Sequence, residues 1–530
     1  MPRQRDFIDY EPVVRSSASS SARLRGGKSG RMVGTTRNAL EDEWAQTPPS
    51  VQRANHDVSG RGENSLDQKG AISVAKKVGI KGDGWVVKRG HLISYLGLFL
   101  FTFVLFFRPY ELFSSLSFLN KSALVVAIFT LIVFFPTQLA VEGNLTARPR
   151  EVNLVLLLCV TGLLSIPLAI SRTEAWGTFS DVFIKAVLMF IVMINVVRTE
   201  RRLKGIIFIS LAAGVVASVS ALNAYRSGNF TVEGYRVTGV IGNLLANPND
   251  MALHLDTMLP ITVGLMLGER NAFKKIIYGT FALLIIGGIV VTFSRGGFLG
   301  LLAVVGVMAW KLGRRNRMGV MTVTIFAALV FIALAPGNYG IRLLSIFDHS
   351  LDPVGSAGSR QDLLTLGIQQ AIRHPLFGIG MGNFHIISIK ELVSHNAYIQ
   401  VASEMGFTAL VIYVWFMLTP LKRLRQIERE TFNERVATKY YYLAVGLQTS
   451  IVAYLLTSFF ASVAYQWYIY YIVGYCICWR RIYETDPRMS EVRASNSAAQ
   501  EEVARTAKGN KIISGRRRTL DEPATMGGRF

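Results

Sequence analysis

Three arginines, one histidine and a few Asn, Asp and Glu residues are the groups of this chain whose setting could support chemistry. Arg236 lies in Tyr235-Arg236-Val237-Thr238-Gly239, shortly before Asn247-Pro248-Asn249-Asp250. Arg295 lies in Thr292-Phe293-Ser294-Arg295-Gly296-Gly297, a tight turn between two apolar runs, and Arg360 follows Gly355-Ser356-Ala357-Gly358-Ser359. A guanidinium stays ionised and presents a planar fork that matches phosphate oxygens better than an ammonium does. Glycines beside Arg295 remove side-chain bulk and would let a large anionic head approach the backbone. The ordinary alternative for a single arginine is snorkelling to the membrane interface or an ion pair. For Arg295, wedged between two apolar runs, the anion-binding reading is the stronger.

Ser394-His395-Asn396 opens another apolar run. A helix N-terminus disfavours imidazolium and so keeps His395 neutral, as a general base requires, although a nearby phosphate would act in the opposite direction. The alternative is that Ser394 or Asn396 caps the helix and His395 is interfacial. Glu404, nine positions on, faces roughly the same way and is a candidate to orient the imidazole. Asn249 and Asp250 read as caps of the run that follows them. Lys185 and Asp256 fall inside apolar runs but near their ends, where snorkelling is the expected account.

Some chemistries are not indicated. No Gly-x-x-x-x-Gly-Lys-[Ser/Thr] phosphate loop exists, so ATP-driven transport has no support. The seven histidines are not paired at metal-binding helical spacing, and no Asp-x-Asp pair stands ready to hold a divalent ion on a sugar nucleotide. The expectation is chemistry without a metal or any other cofactor. Cys159, Cys476 and Cys478 all lie in apolar runs and form no disulfide framework or ligand set.

The elements that position these residues are membrane spans. The chain has 530 residues, 51% hydrophobic and 17% charged, against about a quarter charged in soluble proteins. The apolar residues form long blocks of the kind that cross a bilayer. We read an all-α integral membrane protein with about twelve spans: 92–107, 122–140, 152–170, 180–197, 204–221, 250–267, 276–293, 297–311, 320–336, 397–419, 441–461 and 464–479. Residues 1–90 hold 16 basic and 10 acidic residues and no apolar run, and read as a disordered cytoplasmic tail. Residues 91–481 form the membrane domain, and 482–530 a second disordered cytoplasmic tail. With the N-tail inside, the inner loops and their immediate edges hold 19 basic residues in little more than fifty positions, and the outer loops ten in about twice that length. That asymmetry explains the net charge of +22 by topology rather than nucleic-acid binding and puts both termini in the cytoplasm. Two outer loops are long, 222–249 and 337–396. In the second, apolar residues at 363, 364, 366, 368, 371 and 372 suggest an amphipathic helix at the membrane surface, ended by His374-Pro375 and a glycine-rich run.

Taken together, the fragments resemble the bacterial O-antigen ligase and polymerase superfamily. They are Arg236-Val-Thr-Gly with Asn247-Pro-Asn-Asp, Phe293-Ser-Arg-Gly-Gly, Gly358-Ser-Arg with Arg373-His-Pro-Leu-Phe-Gly-Ile-Gly-Met-Gly-Asn-Phe, and Ser394-His-Asn-Ala-Tyr with Glu404-Met-Gly. The resemblance runs from about Leu92 to Arg481 and is most specific between Arg236 and Gly406. It implies a multi-span, GT-C-like glycosyltransferase of the inner membrane with large periplasmic loops. Such an enzyme takes a glycan from an undecaprenyl-diphosphate carrier and joins it to lipid A–core, another glycan or a protein. By resemblance, Arg236, Arg295 and Arg360 bind the diphosphate and His395 is the base, with Asn249, Asp250, Asn396 and Glu404 in support. Some polymerases of the family carry an Arg followed, after ten intervening residues, by Gly in both large outer loops, where this chain has Asn247 and Ala371. The competing class is a flippase or secondary transporter of lipid-linked glycans, which would favour interrupted helices and mid-membrane charges over polar outer loops.

Overall fold

The computed structural model describes residues 85–112, 114–119, 121–230, 236–237, 245, 247–322, 325, 356–388, 391–434 and 437–490. The N-terminal tail up to residue 84, the C-terminal tail from 491, residues 231–235, 238–244 and 246 of the loop 222–249, and most of 320–355 lie outside them.

The described residues contain no strand ladder and fold into helices. In chain order the principal ones are α1 Trp85–Phe107, α2 Ser122–Glu142, α3 Arg150–Ser165, α4 Arg172–Val196 (with a π-helical stretch at Thr178–Phe183), α5 Glu200–Arg226, α6 Pro248–Gly268, α7 Ala272–Val291, α8 Arg295–Gly313, α9 Ser356–Arg373, α10 Ala397–Glu430, α11 Thr438–Thr457 and α12 Trp467–Thr485. Among the described residues, nine of these are long and apolar enough to cross a membrane: α1, α2, α4 to α8, α10 and α11. The count of twelve rested on three further segments. Of these, 152–170 folds as the 16-residue α3, 464–479 as the less apolar α12, and 320–336 lies mostly outside the described residues. A backbone with every amide bonded within its own helix suits a hydrocarbon environment.

Helix α6 is the most enclosed span and α2 the least. α6 packs against α5, α7, α8 and above all α11. The α6–α11 contact is antiparallel and close enough to bring backbones together: a Cβ on Gly264 would lie 2.8 Å from the Tyr442 carbonyl, and one on Gly446 2.5 Å from that of Pro260. One end of the bundle is tied by ion pairs. Lys311 of α8 bonds Glu428 of α10 at 2.5 Å and Gln448 of α11 at 3.1 Å, Arg480 bonds Glu151 at 3.1 Å, and Arg198 pairs with Glu142. The opposite end, where α6, α8 and α10 begin, carries the residues singled out above. Lys185 is not a snorkelling lysine but bonds Asp181 one turn earlier at 3.1 Å. Asp256 does not snorkel either: it is fully buried.

Candidate active site

At that end the chain turns from α7 into α8 through Thr292, Phe293 and Ser294. Phe293 takes the left-handed conformation (φ +51), and the Ser294 side chain caps α8 by accepting from the Gly297 amide at 3.2 Å. Arg236, from the long loop, is buried against this turn. Its Nε donates to the Thr292 carbonyl at 3.0 Å and one terminal nitrogen donates to Asn249 Oδ1 at 2.9 Å, while the Ser294 hydroxyl donates to the same Oδ1 at 2.8 Å. Asn249 is therefore a hub joining the loop, α6 and the head of α8. It is not the cap that the sequence suggested. Asn247 caps α6, with extended backbone (φ −84, ψ 126) and its Oδ1 accepting from the Asn249 amide at 2.8 Å, followed by Pro248 at the first helical position. Asn249 and Asp250 are already helical and cannot take that place. Asp250 is half-buried in the first turn, where a carboxylate suits the helix dipole. Arg295, the first residue of α8, is half-buried.

A second group surrounds His395. Asn396 caps α10, its Oδ1 accepting from Tyr398 N at 2.9 Å and Ile399 N at 3.1 Å. The Ser394 hydroxyl donates to the Asn396 carbonyl and lies 3.1 Å from the Ser462 hydroxyl. Between these two anchored residues His395 takes φ +49, a left-handed conformation that costs an L-residue about 1–2 kcal/mol. Burial, and then the positive charge of Arg360, push the His395 imidazole down from 6.5 to about 4. The ring is therefore neutral at neutral pH, for reasons other than the helix terminus invoked above. Arg360 is placed in the electrostatic field of His395.

Residues 458–462 link the two groups. Phe460 packs on the head of α8, where a Cβ on Gly296 would come within 2.8 Å of Phe460 Cβ. Ser462 meets Ser394, and Ser458 donates to the Tyr398 hydroxyl at 3.3 Å. None of Ser458, Phe460 and Ser462 was singled out in the sequence. The signal available was Ser-Phe-Phe-Ala-Ser at the end of an apolar run on the same face as the arginines.

Glu404 does not orient His395. Nine residues at 100° each put two side chains on opposite sides of a helix. Its Oε2 instead accepts from Gly382 N at 2.9 Å and its Oε1 from Phe384 N at 3.2 Å. The glycine-rich run also gives Ile379 N to the Ser403 carbonyl (2.9 Å) and Gly380 N to that of Glu404 (3.0 Å), and Phe407 N bonds the Pro375 carbonyl at 2.8 Å. These bonds fill a break in α10 at Gly406 (φ 89, ψ 171). A Cβ there would lie 2.5 Å from the Leu376 carbonyl oxygen, and one on Gly378 (φ +66) would strike the backbone of Glu404, so both positions demand glycine on two counts. With its amides committed to α10, the run is a wedge and not a phosphate cradle. On the far side it holds the α3–α4 turn, through Ile170 N to Ile379 O (3.0 Å) and Ser171 N to Asn383 Oδ1 (2.7 Å). Glu404→Gln is expected to lose one of the two accepted amides and leave a buried donor unpaired, at about 1–3 kcal/mol. The check is a lower thermal unfolding temperature together with faster proteolysis between residues 375 and 384.

A family model described as O-antigen ligase matches residues 280–414. That segment is similar to the O-antigen ligase family. No curated protein matches the chain. The O-antigen ligase segment runs from within α7 to the first half of α10 and contains Arg295, Arg360, His395 and Glu404. Arg236 and Asn249 precede it in sequence and reach it in space through Thr292 and Ser294. Among the described residues no group of three or more His, Cys, Asp and Glu could hold a metal ion.

Proposed function

We propose that this multi-pass membrane protein is a glycosyltransferase that moves a glycan from an undecaprenyl-diphosphate carrier to an acceptor hydroxyl at the periplasmic face of the inner membrane, with both termini in the cytoplasm. The observation that carries the reading is the Arg236–Asn249–Ser294 knot at the head of α8, linked by residues 458–462 to a neutral histidine. A lipid diphosphate is already an activated donor, so no nucleotide is required. Neutral His395 takes the acceptor proton as the hydroxyl oxygen attacks the anomeric carbon. The bond from that carbon to the diphosphate oxygen breaks, the configuration inverts, and arginines stabilise the charge gathering on the leaving group. Arg236 holds the turn that presents Arg295, and Arg360 keeps His395 unprotonated until an anion arrives. Lipid A–core, a growing glycan and a protein are the acceptor classes.

Two observations favour a lipid-linked glycan transporter: the interrupted α10 and the charge of Asp256 inside a span. The break, however, is filled by the chain's own amides rather than left facing a ligand path, which supports the enzyme. The test is purified protein with a synthetic lipid-diphosphate glycan and acceptor, in the presence of EDTA. The glycosylated acceptor is expected to form at the rate seen without chelator. Loss of product restored by magnesium would exclude the arginine-only mechanism, and movement of intact donor across a bilayer without product would favour transport.

A further inference from the structure

Asp256 lies two turns into α6, is fully buried, and neither of its carboxylate oxygens has a hydrogen-bond partner among the described residues. Its carboxylate faces the point where three helices meet. A Cβ on Gly300 of α8 would touch both Asp256 Oδ2 and the methyl of Thr457 on α11. The Thr457 hydroxyl donates its proton to the Ala453 carbonyl at 2.8 Å, and its methyl is the group turned to Gly300. Every packed element lacks a counter-charge at this depth. α11 carries none between Lys439 and Thr457. On α8, Arg295 stands five residues, or about 7.5 Å of helix rise, above Gly300, and Lys311 at the other end is committed to Glu428. The charged residues of α5 and α7 are at the helix ends, and His254 of α6 turns to the Ser210 carbonyl of α5.

A bare carboxylate in such surroundings is strongly disfavoured, and buried charges are neutralised, paired or bound to metal. One negative charge matches one positive charge, whereas a divalent ion needs more oxygens and more negative charge than are gathered here. We propose that Asp256 takes up a single small monovalent cation, a proton or sodium, where α6, α8 and α11 meet beneath Arg295. The site does not depend on the transfer reaction proposed above. Its consequence is mechanical: α6 carries Asn249, α8 carries Arg295, and α11 leads directly into Ser458.

The full chain in nanodiscs is unfolded thermally in sodium chloride and in choline chloride at equal ionic strength, each at mildly acidic and at alkaline pH. A carboxyl whose proton the fold favours gives stability at low pH that is lost as pH rises. The unfolding temperature of the wild type is therefore expected to fall by a few degrees in choline at alkaline pH. Recovery on titrating sodium, with saturation, identifies the metal; recovery only on acidification identifies the proton. Asp256→Asn, an uncharged isostere, is expected to respond to neither beyond the background shared by both proteins. A wild type insensitive to both ions, or an Asp256→Asn protein with the wild-type response, overturns the proposal.

Discussion

His395→Ala is expected to cut turnover by about 10²–10⁴-fold, the usual contribution of a positioned acid or base, while leaving binding of the lipid-diphosphate donor intact. The imidazole sits at about 4, so it is free to accept a proton above that value and blocked below it. Transfer by the wild type should therefore hold level through neutral pH and fall as pH drops through about 4. Arg360→Met removes one of the two causes of the depressed value, and the acid limb of kcat/KM should move up toward the ordinary histidine value of 6.5. His395→Gly provides a control on folding: it relieves the φ +49 conformation and should unfold no earlier than the wild type, yet be as inactive as the alanine variant. Normal turnover by His395→Ala at matched expression would reduce the residue to a strained link before a helix cap.

Arg295→Lys is expected to lose most activity and Arg295→Ala more. Lysine keeps the charge but not the fork that holds two phosphate oxygens, and loss of one donor to a developing oxyanion costs about 3 kcal/mol, or roughly a hundredfold in rate. Arg295 is a cleaner probe than Arg236. Arg236 is buried and bonds both Thr292 and Asn249, so its replacement disturbs the α7–α8 turn as well as any ligand. Half-buried Arg295 follows the cap and can be changed with the cap intact. Comparing kcat with KM for the donor separates transition-state from ground-state binding. Wild-type values for both variants would leave Arg295 as a turn residue and remove the diphosphate clamp from the mechanism.

Nine of the spans were legible because a bilayer demands long apolar runs, and α9 because its apolar residues recur at helical spacing. In the folded chain its Leu363, Gly367 and Ala371 face α10, while Ile368 and Ile372 remain exposed. What the sequence could not convey were roles that depend on contacts distant along the chain. Asn-Pro-Asn-Asp offers three possible caps, and only the backbone chooses Asn247, freeing Asn249 for Arg236 and Ser294. Glu404 and the glycine-rich run are twenty residues apart and look unrelated until the break at Gly406 shows one filling the other. Asp256 was read as near a span end because hydropathy reports depth along a helix and not which neighbours enclose it.

The wedge in α10 also sets the natural unit of exchange between relatives. Its bonds join Pro375–Phe384 to Ser403–Phe407, and the ten residues from Asn396 to Met405 are enclosed between the helix cap and the break. A length change inside that interval would rotate the histidine by about 100° per residue relative to its anchor. Chimaeras cut there would pair a cap from one parent with a socket from another. Grafts bounded before Ser356 and after Phe407 carry α9, the wedge, His395 and the break as one cassette, which can be transplanted whole but not piecemeal.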